Sequence, residues 1–353
     1  MKYKKQNILR GICFHWEQIK IKFINLKIKT MESQKNENRK VPQVINTQGD
    51  FGTRDKCNEV IFMARTTEDC KCPGCSRKVR DVYRPRQNRN EYMCRNCYSV
   101  LTLYSGTIFE ASNIPIEYWF YTLQQVFDNS FGITSKKLEK RLNVSVKTAL
   151  YMLFKIRTAL KELNPKTIAG EFVECDEVFP KTGTGGFGKD AGQGSGNKER
   201  TSPVAVLACR ETGHVIAKVV LKIDSTLRSF VVKHVPRGGT ILTDGNIAYR
   251  KLIDEGMEYK HFSVKHPSVG KRNGQWVLGI ASTNRCENFN SFLKTMHRFY
   301  RFVSAKHVQG YVDELVFRFN HRHDDTKMME TFLDSLSNAE IKERKNFRGR
   351  RFL

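Results

Sequence analysis

The sequence predicts an α/β domain preceded by a small cysteine-held ribbon and a helical segment. Three observations predict it. From Glu171 onward the apolar runs follow the order strand, hairpin, helix, strand, helix. Two Cys-x-x-Cys pairs lie upstream, Cys72-Pro-Gly-Cys75 and Cys94-Arg-Asn-Cys97, with 18 residues between them. Over residues 112–163, between ribbon and strands, apolar side chains recur at helical spacing. A chain of 353 residues has room for two or three such domains. No run approaches the length of a spanning helix, so no membrane partner is expected. The basic N-terminus lacks an apolar core followed by a small-residue cleavage site, so no signal peptide is expected either.

Residues 1–50 are rich in Lys, Ile and Asn, then polar, with no sustained periodicity. They read as a basic, disordered arm, and Met31 offers a second start within it. The ribbon is expected over 51–110. Four thiolates at this spacing suit tetrahedral zinc, each pair forming one knuckle, with a β-hairpin in the Ser76–Met93 interval. Cys72, Cys75, Cys94 and Cys97 are the expected ligands, Cys70 being an alternative first one. Four thiolates leave no open position, so such a zinc is structural. The alternative is four reduced, unliganded cysteines. Of the rest, Cys175, Cys209 and Cys286 sit in apolar patterns and read as small core residues. Scattered cysteines of this kind fit a reducing, intracellular compartment rather than a secreted disulfide scaffold.

The helical segment is expected over 111–165. Ser112 and Pro115 mark the start of its first helix. Leu138 and Leu142, then Leu150, Leu153 and Ile156, mark two more, separated by a turn at Asn143-Val144-Ser145. That is a helix-turn-helix pattern whose second helix would present Lys147, Thr148 and Tyr151 to a DNA groove; an ordinary helical hairpin has the same pattern. The α/β domain is expected over 166–323. It has a strand at Phe172–Phe179 and a hairpin of 203–209 with 214–221. A helix follows at 224–235, then a strand at Thr240–Thr243 and a helix at Ile247–Gly256. This order resembles a ribonuclease H-like domain. The Lys181–Arg200 interval, with seven glycines, reads as a mobile loop or a surface insertion. A helix at Ala305–Asn320 carries Val308, Val312, Leu315 and Phe319 on one stripe and should pack on the core. Residues 324–353 read as a basic tail.

A formal charge of +25 implies a polyanionic partner, most often nucleic acid. A ribosomal or membrane-surface protein would also be basic, but here three acids fall in separate apolar contexts. Asp176 lies within a strand, Asp244 ends one, and Glu287 sits on a helix. Phosphodiester transfer needs an activated oxygen, a stabilised leaving oxygen and neutralised phosphoryl charge. Two Mg²⁺ or Mn²⁺ ions held by carboxylates from different elements supply all three. Each acid has a plainer reading: a strand-end acid at Asp176, an Asp-Gly turn at Asp244, and a capping partner of Asn284 at Glu287. Strand alternation places Glu174 with Asp176 on one face, and Cys175 with Glu177 on the other. Lys294, two turns after Glu287, would reach a DNA phosphate unless it is simply a solvated lysine.

These stretches resemble the zinc-ribbon DDE transposases of bacterial insertion sequences and their eukaryotic relatives, the Merlin elements. The resemblance rests on the two Cys pairs, Ser105-Gly-Thr-Ile-Phe109 and Ile114-Pro-Ile-Glu-Tyr-Trp-Phe120. It continues through Val173-Glu-Cys-Asp-Glu177, Leu242-Thr-Asp-Gly245, the run from Thr283 to Lys294 and that from Lys306 to Asn320. It implies that Asp176, Asp244 and Glu287 form the catalytic triad, with Lys294 the basic residue that follows it. It also implies cut-and-paste transposition: terminal inverted repeats bound, strands cut with metal-activated water, and target DNA attacked by the freed 3′-hydroxyl. Bringing two ends together implies a homo-oligomer on DNA, in the cytoplasm or nucleoid of a bacterium or the nucleus of a eukaryote. Two departures stand out. Ser282 occupies a place where the family often has His, and the Gly-Gly-Lys that tends to follow the first Asp closely is displaced to Gly185-Gly-Phe-Gly-Lys189. The alternatives are a domesticated, inactive relative that only binds DNA, and a nuclease or resolvase that reads DNA shape.

Overall fold

The computed structural model describes residues 52–66, 70–72, 74–86, 91–129, 131–180, 202–220, 223–244, 259–264, 282–300 and 303–336. The expected N-terminal arm, the Lys181–Arg200 loop and the helix at 247–256 lie outside them. Two compact units account for the described residues: 52–121 with 136–146, and 122–135 with 147–336.

The first unit holds the cysteines. Helix α1 (Arg54–Arg65), not foreseen in the sequence, is capped by the Thr53 hydroxyl, which accepts from the Lys56 N–H. A single helical turn, α2 (Val79–Val82), leads into β1 (Tyr83–Pro85), β2 (Glu91–Cys94) and β3 (Val100–Thr102), an antiparallel sheet in that order. The expected hairpin is therefore β1–β2, with β3 added from beyond the second Cys pair. Helix α1 is fastened to this sheet. The Phe62 and Tyr92 rings stack at 4.1 Å, and the Arg80 Nε donates to the Thr66 carbonyl at 3.1 Å. The Arg65 guanidinium donates to the Leu103 carbonyl. Further along, Phe109 and Trp119 pack edge to face, both fully buried.

Helices α3 (Ile116–Asp128), α4 (Ser135–Leu142) and α5 (Val146–Leu163) follow in chain order. Pro115 immediately precedes α3, where a missing N–H costs nothing. The Ser112 hydroxyl accepts from the Ile114 N–H and from the Trp119 indole. Between α4 and α5, Asn143 takes a left-handed φ of 51°, a conformation asparagine tolerates well.

The second unit is built on a five-stranded sheet. Its strands are β4 (Phe172–Val178), β5 (Val204–Cys209), β6 (Val215–Val219), β7 (Thr240–Thr243) and β8 (Lys260–Ser263), in spatial order β6-β5-β4-β7-β8. The β4–β5 and β5–β6 pairings are antiparallel, whereas β4–β7 and β7–β8 are parallel. This mixed sheet fits the expected ribonuclease H-like class. Strand β5, Val-Ala-Val-Leu-Ala-Cys, is buried throughout, as a central strand covered on both faces must be. Odd-numbered Val173 and Cys175 face one core with α6 (Ile223–His234). Even-numbered Val178, with Val204 and Val206, faces another formed with α7 (Asn284–Tyr300) and α8 (Val308–Asn320). Val308, Val312, Leu315 and Phe319 all lie in that second core, as the stripe predicts. Cys175, Cys209 and Cys286 are buried core residues. The segment expected as a basic tail begins with a packed helix, α9 (Asp325–Ser335), whose Phe332 lies against Phe127. The sequence reading missed it because its few apolar residues were outweighed by the charge around them.

Under α8 lies a charged core. Glu314 accepts from the Arg157 Nε at 2.7 Å and the Arg318 Nε at 3.2 Å, all three residues being buried. The Arg157 guanidinium also stacks over the Tyr311 ring at 3.6 Å. Gly132 is required beside this network: its φ is 72°, and a Cβ there would meet Arg318 and Glu314 at 2.7 Å.

Candidate metal centres

In the first unit, Cys72, Cys75, Cys94 and Cys97 bring their sulfurs within 4.8 Å of one another. Cys72 and Cys97 Sγ are 3.4 Å apart, and Cys75 and Cys94 Sγ 3.7 Å. Sulfurs at the corners of a zinc tetrahedron with bonds of about 2.3 Å lie about 3.8 Å apart, so the four thiols fit that ion. Gly74 belongs to the same cradle, since a Cβ there would stand 2.7 Å from Cys97 Sγ. The Cys72 thiol is held down at about 6. Burial opposes this, but hydrogen bonds from Ser99, Tyr83, the Gly74 amide and Cys97 outweigh it. Cys70, the alternative ligand, is outside the cluster. Its neighbour Lys71 instead forms an isolated bridge with Lys78, closing the knuckle.

In the second unit, parallel pairing positions the acids. The β4–β7 register runs from Phe172 opposite Thr240 to Cys175 opposite Thr243. The next residues on each strand are Asp176 and Asp244, so both reach the carboxyl end of the sheet side by side. One carboxylate oxygen from each of Asp176, Glu177 and Asp244 lies within 4.8 Å of the others. Glu287, from α7, is outside that group but near enough for its charge to act on Asp176. Burial pushes the Asp176 carboxyl up to about 7. The Glu177 N–H works the other way, while the charges of Asp244, Glu177 and Glu287 add to the rise.

The structure thus brings together the two strand acids as expected and adds Glu177, which alternation had placed on the opposite face. Pairing with β7 has stopped at Cys175, and the long Glu177 side chain joins the cluster at the strand end. Two further polar residues were not foreseen. Asn290, 5% exposed, donates through Nδ2 to Asp176 Oδ2 at 2.7 Å. Its Oδ1 is buried with no hydrogen-bond partner among the described residues, an acceptor left over beside the acids. Glu174 shares a face with Asp176, as alternation predicts: its carboxylate accepts from the Arg285 N–H at the start of α7, the helix whose Asn290 bonds Asp176. Glu287 Oε1 accepts from the Thr283 hydroxyl at 3.3 Å. The clustered carboxylates and the spare amide oxygen of Asn290 form a hard, oxygen-only donor set, which suits Mg²⁺ or Mn²⁺ and not a soft metal.

Of the residues expected to touch DNA, Lys294 is exposed on α7. Lys147 and Tyr151 are exposed on α5 beside Leu150 and Phe154, and Thr148 is half-buried.

Residues 167–320 match the family model of the ISXO2-like transposase domain. The chain is 28% identical over 275 residues to a protein in transposable element ISH50 of Halobacterium salinarum, covering 74% of this chain and 89% of that one. Among solved structures, a pre-cleavage Mos1 transpososome is 13% identical, covering 63% of this chain and 79% of that one, with a TM-score of 0.24. A simian T-cell lymphotropic virus intasome in complex with PP2A regulatory subunit B56 gamma is also 13% identical, covering 54% and 71%, with a TM-score of 0.27. At such scores neither structure bears on the argument.

Proposed function

The chain belongs to the ISXO2-like transposases through residues 167–320, and from that premise we propose that it cuts and rejoins DNA at the ends of a mobile element. The observation that carries this is the convergence of Asp176 and Asp244 at the adjacent ends of β4 and β7, with Glu287 close by on α7. Asp176, Asp244 and Glu287 are the catalytic acids, and they would hold two divalent ions. Those ions, when bound, supply an activated water at neutral pH and neutralise the phosphoryl and leaving-group charge. Asn290 and the Glu177 amide fix the two Asp176 oxygens. The Thr283 hydroxyl holds Glu287. Lys294, exposed two turns further along α7, takes a DNA phosphate and orients the strand over the acids.

The cysteine ribbon, folded around zinc, and the exposed face of α5 bind the terminal inverted repeats. Lys147 and Thr148 would contact backbone and base edges, and Tyr151 adds a flat apolar surface. Two ends must be held together for joining, so the working species is a homo-oligomer on DNA, which also engages the target.

The deciding experiment is strand cleavage of DNA carrying the gene's own flanking ends, in Mg²⁺ or Mn²⁺, by wild type and Asp244→Asn. Metal-dependent cuts at the ends that disappear in the variant, with end binding retained, are expected. Cutting by Asp244→Asn would overturn the triad. Binding without cutting by either protein would reassign the chain to DNA binding alone.

A further inference from the structure

We infer that Glu174 is a positioning residue that sets where Glu287 stands, an inference that rests on the metal-site reading above. Glu174 is 1% exposed and lies two residues before Asp176 on β4. Its carboxylate is fully engaged. Oε1 accepts from the Arg210 Nε at 2.9 Å and from the Ser282 hydroxyl at 3.4 Å. Oε2 accepts from the backbone N–H of Arg285 at 2.7 Å and of Cys286 at 3.3 Å. Those two amides belong to the first turn of α7, and the next residue is Glu287.

A Ser or Asn from the helix's own chain would satisfy these amides without burying a carboxylate. A charged group reaching across from β4 does something a local cap does not: it ties the helix start to the strand that carries Asp176. The tie has a second point. Asn290, also on α7, donates back to Asp176. Between Cys286 and Asn290 the helix rises about 6 Å, and between Glu174 and Asp176 the strand advances about 6.6 Å. The two contacts are therefore commensurate, and both form only when α7 runs alongside β4 in one register. Glu287 lies between the two fixed points, so its carboxylate is delivered to the acid cluster by the clamp. Arg210 completes it from the end of β5, bonding Glu174 and, through Nη2, the Ser282 hydroxyl and carbonyl. Ser282 thus has a role as a small hydroxyl inside the clamp.

The test is Mn²⁺ binding to the full chain by isothermal titration calorimetry, comparing wild type, Glu174→Gln, Glu287→Gln and the double variant. If Glu174 acts through Glu287, Glu174→Gln weakens Mn²⁺ by about ten- to hundredfold. It then adds nothing once Glu287 is already Gln. An equal loss on both backgrounds, or no loss, overturns the inference. Should Glu174→Gln fail to fold, Ser282→Ala enters the same cycle, with a smaller loss that must also vanish in Glu287→Gln. A wild type that binds no Mn²⁺, or an indifferent Glu287→Gln, would instead overturn the metal-site reading itself.

Discussion

Asp176 carries the tension of the second unit. A carboxyl buried among other acids prefers its proton, and its value of about 7 stands well above the ordinary 3.8. In metal-free protein, folding therefore favours the protonated form. The stability it contributes is complete below about 3.8 and is lost as pH rises through about 7. Asp313, raised to about 6 by burial, acts in the same direction. Thermal melts in EDTA at pH 5.5 and pH 8 should show wild type losing more stability on the alkaline side than Asp176→Asn, the Asp313 share cancelling between them. Adding Mg²⁺ at pH 8 should raise the melting temperature of wild type and leave Asp176→Asn nearly unmoved. Equal pH slopes in the two proteins would mean that Asp176 is not the strained group. Among the thiols, Cys72→Ser should lower bound zinc measured by metal analysis, and Cys70→Ser should leave it at one per chain.

Elements inherit these constraints. Helix α8 is held by Glu314 between Arg157 and Arg318, so Glu314→Ala would leave two buried guanidinium groups without their carboxylate. Denaturant unfolding should register about 3–5 kcal/mol of lost stability, and a loss under 1 kcal/mol would show that water or the Tyr rings replace the pair. Helix and strand positions in this unit were legible because each had a strong period. The β5–β6 hairpin, α6 and β7 lie within a residue or two of where the apolar pattern puts them. Helix α1, strand β3 and strand β8 were not legible. Strand β8, Lys-His-Phe-Ser, is a largely exposed edge strand with no alternation to find. Helix α1 has a weak apolar stripe, and it is fastened by the Arg65 bond to the Leu103 carbonyl and by the Arg80 bond to its own Thr66 carbonyl, partners that only the folded ribbon brings near. The same division runs through the site. Asp176 could be read because it interrupts an apolar strand, and Asp244 because it ends one. The parts played by Glu177, Asn290 and Glu174 could not, since they depend on where pairing with β7 stops and on the register between β4 and α7.

At the scale of the whole chain, a sequence with a net charge of +25 also carries a cluster of acids. Such a molecule should meet DNA chiefly through phosphate contacts, so affinity must fall with salt as counterions cease to be released. Six to ten contacts correspond to a loss of about 10³–10⁵ in affinity between 50 and 200 mM salt. The slope of log affinity against log salt then counts contacts, and single variants can be assigned by it. If Lys294 holds a phosphate as proposed, Lys294→Ala should flatten the slope by about one and weaken repeat ends and unrelated duplex alike. Tyr151→Ala should weaken repeat ends more than unrelated duplex and leave the slope unchanged, because a tyrosine carries no charge to release. Fluorescence anisotropy on both duplexes across that salt range separates the two. A Tyr151→Ala protein that loses affinity equally for both duplexes would remove α5 from end recognition and leave that task to the cysteine ribbon.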